Sequence, residues 1–220
     1  MMNIELNNHE LVNHVSRQLI NLFGEYGDIA PYLENVLSRA QRCFEVTRNK
    51  YYHDEMGEVY FSPYHSSQYS IFLYYLVNTI HHSGGNASLA TKVYYLNKIL
   101  NSVDWYYEIE LPEYWGVEHP LGSVLGRAQY SNGFFVYQGC TVGGNKGRYP
   151  VLGQNVILYS NVTVLGDTRI GDNVIISTGT IVKDEDIPSN CLVFGQSPRL
   201  IIKQKDVQYM DKLIAGFWIR

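Results

Sequence analysis

Cysteine is scarce and scattered: Cys43, Cys140 and Cys191 stand far apart, with no Cys-x-x-Cys spacing. That excludes a disulfide framework and a thiolate metal site, and leaves the three thiols as small buried hydrophobes. No apolar run approaches the roughly 18 residues of a membrane span. The first segment, MMNIELNNHE, lacks a basic region followed by an apolar stretch, so the protein is expected in the cytoplasm. Excess charge is missing too. With 17 Lys and Arg against 21 Asp and Glu the net charge is −4, which argues against broad binding to a nucleic-acid backbone. Histidine thins out along the chain: seven are present, and only His119 lies in the second half. A zinc site there would need three histidines on neighbouring turns of chain.

What is present divides into two regions of different period. The chain has 220 residues, 45% of them hydrophobic, enough to bury a core. Up to about residue 101 the apolar positions recur at helical spacing. Leu11, Val15, Leu19, Leu22 and Phe23 mark one stripe; Leu33, Val36, Leu37, Ala40 and Phe44 mark a second, opened by Pro31. Ser66 or Ser67 is placed to cap a third helix carrying Tyr69, Phe72, Leu73, Leu76 and Ile80, and Ser88 a fourth with Val93, Leu96 and Leu100. HHSGGN at 81–86 reads as the turn between them, with His81 and His82 at an exposed helix end.

From about residue 124 the period becomes six. Val124, Tyr130, Val136 and Val142 are followed, after a ten-residue step, by Leu152, Leu158, Val164, Ile170, Ile176 and Val182. Glycine or small polar residues follow several of them, as in LGQNVI and IGDNVI, the alternation of a short strand with a tight turn. Three hexads close one coil of a triangular solenoid whose register residues stack inside. The ten-residue step contains GGNKGRYP, four residues too many for the coil, and must leave it as a loop.

From Asp104 to about Lys203 the sequence resembles the hexapeptide-repeat acyltransferases, and among them the serine acetyltransferase-like group. The segments that carry the likeness are VD at 103–104, EHPLGSVLG from Glu118, YQGCTVGG from Tyr137, the repeat run, and FGQSPRLI near its close. The resemblance implies an α+β chain: a helical domain over 1–101, a left-handed parallel β-helix over 102–204, and a tail over 205–220. It also implies a homotrimer, with acetyl-CoA as acyl donor. In that group the catalytic histidine follows an acidic residue and opens H-x-x-G-x-V-x-G, as His119 does in HPLGSVLG. Imidazole suits the task, since taking a hydroxyl proton calls for a base near neutral pKa.

The group also carries an aspartate fifteen residues earlier that orients the imidazole, and Asp104 holds that position. Glu118 is either a second orienting carboxylate or a solvated one. Position in the likeness assigns Gly143 or Gly144 to the oxyanion, Ser160, Thr178 and Gly179 to pantetheine, and Lys183 and Arg199 to the CoA phosphates. Arg148 and Tyr149 fall on the acceptor. Where the group has Arg-His-Pro, this chain has Arg148, Tyr149 and Pro150, and SPYHSSQYS replaces the group's Asp-Pro-Ala segment. A phenol packs well on a sugar ring. The expected activity is therefore O-acetylation of a sugar or sugar nucleotide, with serine as the alternative acceptor and a non-catalytic trimeric scaffold as a third reading.

Overall fold

The computed structural model describes residues 2–24 and 27–219. Four helices precede the solenoid: α1 (Asn8–Phe23), α2 (Ala30–Glu45), α3 (Ser66–His82) and α4 (Ala87–Asn101). Asn7 and Glu10 form a reciprocal capping box at the start of α1, and Gly24 ends the helix in a left-handed turn. Of its expected stripe, Leu11, Val15 and Leu19 are buried, whereas Leu22 is 44% exposed. The caps of α3 and α4 fall earlier than expected, on His65 and Asn86, because those side chains accept the first free N–H groups.

The third helix is not amphipathic: it buries every residue from Ser67 to Ile80. Its polar members are satisfied individually. Gln68 accepts from Ser62 N–H at 2.8 Å and donates to the Tyr51 and Tyr60 carbonyls. Asn78 accepts from Arg39 and donates to the Tyr107 carbonyl. Tyr74 reaches into the solenoid, donating to Ile109 O and accepting from Leu111 N–H. One apolar cluster therefore runs from the helices into the first coils.

The solenoid has three faces. The first stacks Asp104–Trp105, Val124–Leu125, Thr141–Gly143, Thr163–Leu165 and Ile181–Lys183 in parallel; the third stacks Trp115–Glu118, Phe134–Tyr137, Val156–Leu158, Val174–Ile176 and the start of Cys191–Gln196. The second face is thinner, with Val151–Leu152 and Arg169–Ile170 extended by single bridges. Nine of the ten register residues are buried. Val124 is the exception, 38% exposed, and Leu125 takes its place opposite Val142. The first face thus starts one residue later than strict sixfold spacing, and Tyr130 follows Leu125 by five positions instead of six.

At the edge between the second and third faces, Gly133, Asn155, Asn173 and Asn190 have positive φ, between 55° and 81°. Asparagine tolerates this region and here also donates along the axis, Asn155 to Asn173 at 2.9 Å and Asn173 to Asn190 at 3.1 Å. The excursion at 144–150 is a tight hairpin, not a loose loop: Asn145 and Arg148 exchange backbone bonds around Lys146 and Gly147, both at positive φ.

After a closing antiparallel hairpin (Cys191–Gln196 with Arg199–Gln204), a fifth helix, α5 (Val207–Ile214), lies on the outside of the third face. Met210, Ile214 and Trp218 cover Phe135, Ile157 and Ile175 there. The same segment bonds to the end of α2: Ile219 N–H to Val46 O, and Arg48 N–H to Phe217 O. Among the described residues no helix is long and apolar enough to cross a membrane.

Candidate active site

His119 follows the strand Trp115–Glu118, at the edge where the third face turns into the first. Its backbone is left-handed, φ 52°, and the side chain is exposed, while Glu118 beside it is half-buried. Along this edge Leu121, Gln138, Ser160 and Thr178 stack, each pair of coils joined by a backbone bond such as Gly179 N–H to Ser160 O at 2.9 Å. Ser160, Thr178 and Gly179 therefore share one edge with His119, further along the axis at about 4.8 Å per coil. A Cβ on Gly179 would meet nothing within 4 Å, so the edge is open there.

The remaining expected residues lie elsewhere. Gly143, Gly144, Arg148 and Tyr149 sit at the opposite edge of the first face, and Lys183 ends that face's last strand. A three-residue strand separates the two edges, on the order of 10 Å. Arg199, in the closing hairpin, lies near Lys183, whose N–H donates to Ser197 Oγ at 3.0 Å. Tyr149 packs its ring over Gly144, where a Cβ would come within 2.6 Å of it. Its aromatic surface is partly used within the hairpin.

Asp104 shares the His119 edge, its N–H bonded to Ser123 O. Among the described hydrogen bonds, however, none joins it to His119. The carboxylate is taken by two residues of α4, Lys98 at 2.6 Å and Tyr94. Burial pushes its pKa up, but those two partners outweigh burial and hold it below the ordinary carboxylate value. The physical reason is the packing of α4 against the start of the first face, which brings Tyr94 and Lys98 onto the carboxylate.

Two features had no signal in the sequence. His65, the cap of α3, is half-buried with its ring against Tyr51 and Tyr52, and burial lowers its pKa. Beside Glu118 a cavity of about 250 Å³ opens between the third face and the C-terminal segment, lined among others by Arg48, Tyr52, Tyr137, Tyr159 and Phe217. Tyr137 and Tyr159 stack face to face across adjacent coils, 5.0 Å between centroids. Burial, then the Glu118 charge, push the Tyr137 phenol well above its usual pKa, so it is a neutral hydrogen-bonding group.

Comparison with known proteins places this geometry. A family profile described as bacterial transferase hexapeptide (six repeats) matches residues 149–184. A serine acetyltransferase of Synechococcus elongatus is 32% identical over 114 residues, 50% of this chain and 46% of its own. One from Staphylococcus aureus is 34% identical over 97 residues, 42% and 45% of the two chains. The chain thus spans about half the length of these curated relatives, or less.

Among solved structures, Neisseria gonorrhoeae serine acetyltransferase superposes with TM-score 0.70 at 20% identity, covering 94% of this chain and 84% of that one. A serine acetyltransferase in complex with CoA matches with TM-score 0.64 at 17% identity, covering 80% and 74%. The fold is therefore the hexapeptide-repeat kind, helices followed by a left-handed parallel β-helix of about five coils. More narrowly, the sequence is similar to serine acetyltransferases over about half of the chain. The expectation of a sugar acceptor, and with it a polysaccharide pathway, is overturned: the relatives and neighbours named here are serine acetyltransferases.

Proposed function

We propose that the protein is an acetyl-CoA-dependent serine O-acetyltransferase with His119 as general base. The observation that carries this reading is the placement of His119: an exposed imidazole beside Glu118, opening the same solenoid edge that bears Ser160, Thr178 and Gly179. It gains support from the identity to serine acetyltransferases of 32–34% over 97–114 residues.

Acetyl-CoA lies along that edge, with its pantetheine arm against the small residues and its phosphates toward Lys183 and Arg199. The acceptor hydroxyl attacks the thioester carbonyl as His119 takes its proton. The tetrahedral intermediate collapses, the C–S bond breaks, and the imidazolium returns the proton to the departing thiolate. No covalent enzyme intermediate is needed.

A backbone N–H at Gly143 or Gly144 stabilises the oxyanion. Within one chain that edge stands a strand's width from His119, so a second copy presents it, and the working unit is a homotrimer. Asp104 acts indirectly in this scheme, holding α4 to the first strand through Lys98 and Tyr94.

The test is thiol release from acetyl-CoA with L-serine. His119→Ala is expected to lower kcat by about 10²-fold or more with an unchanged melting temperature. A fully active variant, or a wild-type protein inert toward serine, refutes the reading.

A further inference from the structure

The hairpin at 144–150 is tied to the solenoid at one point. Asn145 and Arg148 exchange backbone bonds of 2.9 Å, and Lys146 and Gly147 turn the chain at φ 50° and 74°. A turn with positive φ at both central residues is favoured by Asn-Gly and Gly-Gly, so lysine in the first place leaves it strained. A lone two-stranded hairpin is also marginal in water. Residues 145–149 therefore need an outside hold. Among the described hydrogen bonds one supplies it: Asn145 Nδ2 donates to Asp184 Oδ2 at 2.9 Å.

That bond crosses two coils. Gly143 pairs with Leu165 and Leu165 with Lys183, so Asn145 and Asp184 meet over Gly166, which follows Leu165 on the coil between. Room for them depends on that glycine: a Cβ there would collide with Asp184 Oδ1 and stand 3.0 Å from Asn145 Cβ. Asp184 is itself held, its Oδ1 accepting the Asp167 N–H at 2.9 Å. The Asp167 bond lowers the Asp184 pKa, desolvation opposes it, and Asn145, Lys183 and Lys146 add to the lowering, so the group is a carboxylate at neutral pH. A carboxylate can only accept, which fixes the polarity of the pair.

We infer that Asn145 and Asp184 are a positioning pair: their bond fixes the hairpin, and with it the Gly144 N–H and the Arg148 side chain offered to the acceptor and its oxyanion. This rests on the serine reading above. Both residues act through the hairpin, not on substrate. Because the pair is exposed, it sets the local order of the hairpin and contributes little to global stability.

The experiment compares wild type with Asn145→Ala, Asn145→Asp and the swapped pair Asn145→Asp/Asp184→Asn. The first removes the donor, and the second sets two carboxylates against each other. The swap restores one donor and one acceptor with their roles reversed, since the amide of Asp184→Asn accepts the Asp167 N–H through Oδ1 and donates through Nδ2. Hydrogen exchange of the 145–149 amides in the substrate-free protein reads the hairpin; thiol-release kinetics with L-serine read the consequence.

Exchange at the Arg148 amide should rise about tenfold or more in Asn145→Ala, rise further in Asn145→Asp, and return to near the wild-type rate in the swapped pair. The kcat/KM for serine should fall about tenfold in Asn145→Ala and recover in the swapped pair. In Asn145→Ala the KM for acetyl-CoA and the melting temperature should stay near those of wild type. Exchange unaffected by Asn145→Ala overturns the inference, as does a loosened hairpin with kcat/KM for serine intact. A wild-type protein inert toward serine refutes the proposed activity instead; exchange that rises in Asn145→Ala and returns in the swapped pair then still upholds the pair's hold on the hairpin.

Discussion

In the solenoid, a residue's neighbours are its own counterparts one coil away: Val142 lies between Leu125 and Val164, and Asn173 between Asn155 and Asn190. In the helical half nearly every buried residue has a partner of a different kind. On α3 alone, Gln68 serves two loop carbonyls, Asn78 an arginine and a solenoid carbonyl, and Tyr74 the first coil. Repetition lets one rule place many residues, and it spreads the effect of any one change over similar neighbours. A set of single contacts has neither property. His119, the proposed base, sits on the repetitive half.

The sharpest way to break this contrast is core truncation. Phe72, fully buried on α3 and stacked with Tyr69, has no counterpart to close over the gap, so Phe72→Ala should cost about 3–5 kcal/mol in urea unfolding. Val164→Ala, which removes less from the repetitive stack, should cost less than half as much. Equal losses would mean that the two regions share one mode of packing.

A smaller effect is expected at the asparagine edge. Asn173→Ala removes a donor and an acceptor from the ladder and leaves a Cβ residue at positive φ, for about 1–3 kcal/mol. Asn173→Gly keeps the backbone relaxed and should recover part of that loss. A glycine variant no better than the alanine one would show that the side-chain ladder, rather than backbone strain, holds this edge.

The smallest effect is pH dependence, and it belongs to the helical half. His65 and His14 both have pKa values lowered from 6.5, chiefly by burial. For a base whose folded pKa is depressed, the unfolded chain binds more protons, so stability is full above about 6.5 and falls as pH drops toward the folded values. Melting temperature should therefore decline between about pH 7 and pH 5.5, and less steeply in His65→Ser. A decline of the same slope in that variant would assign the effect to other groups.

The same contrast explains what could be read from sequence. The sixfold period placed nine register residues correctly and failed at Val124, because the coil there is one residue short, a slip the flanking sequence does not mark. His119, Ser160, Thr178 and Gly179, named from the family resemblance, share one edge because that edge repeats with the coil. α3 was read as one-sided because Gln68, Ser70, Asn78 and Thr79 are polar, and nothing local shows that each has a buried partner. His65 could not be found as the cap of α3, because Ser66 and Ser67 beside it are the usual capping types and imidazole is not. The expected bond between Asp104 and His119 failed because α4 supplies nearer partners for the carboxylate.

The segment that covers the third face has a consequence for the order in which this chain is made. Phe135, Ile157 and Ile175 present an apolar strip as soon as their coils wind, yet Met210, Ile214 and Trp218 emerge later in synthesis. The end of α2, formed long before, also waits for Phe217 and Ile219 to complete its bonds. Until the ribosome has delivered those residues, a nascent chain with every coil in place still shows that strip to water, and a chain ending before Val207 would keep it uncovered.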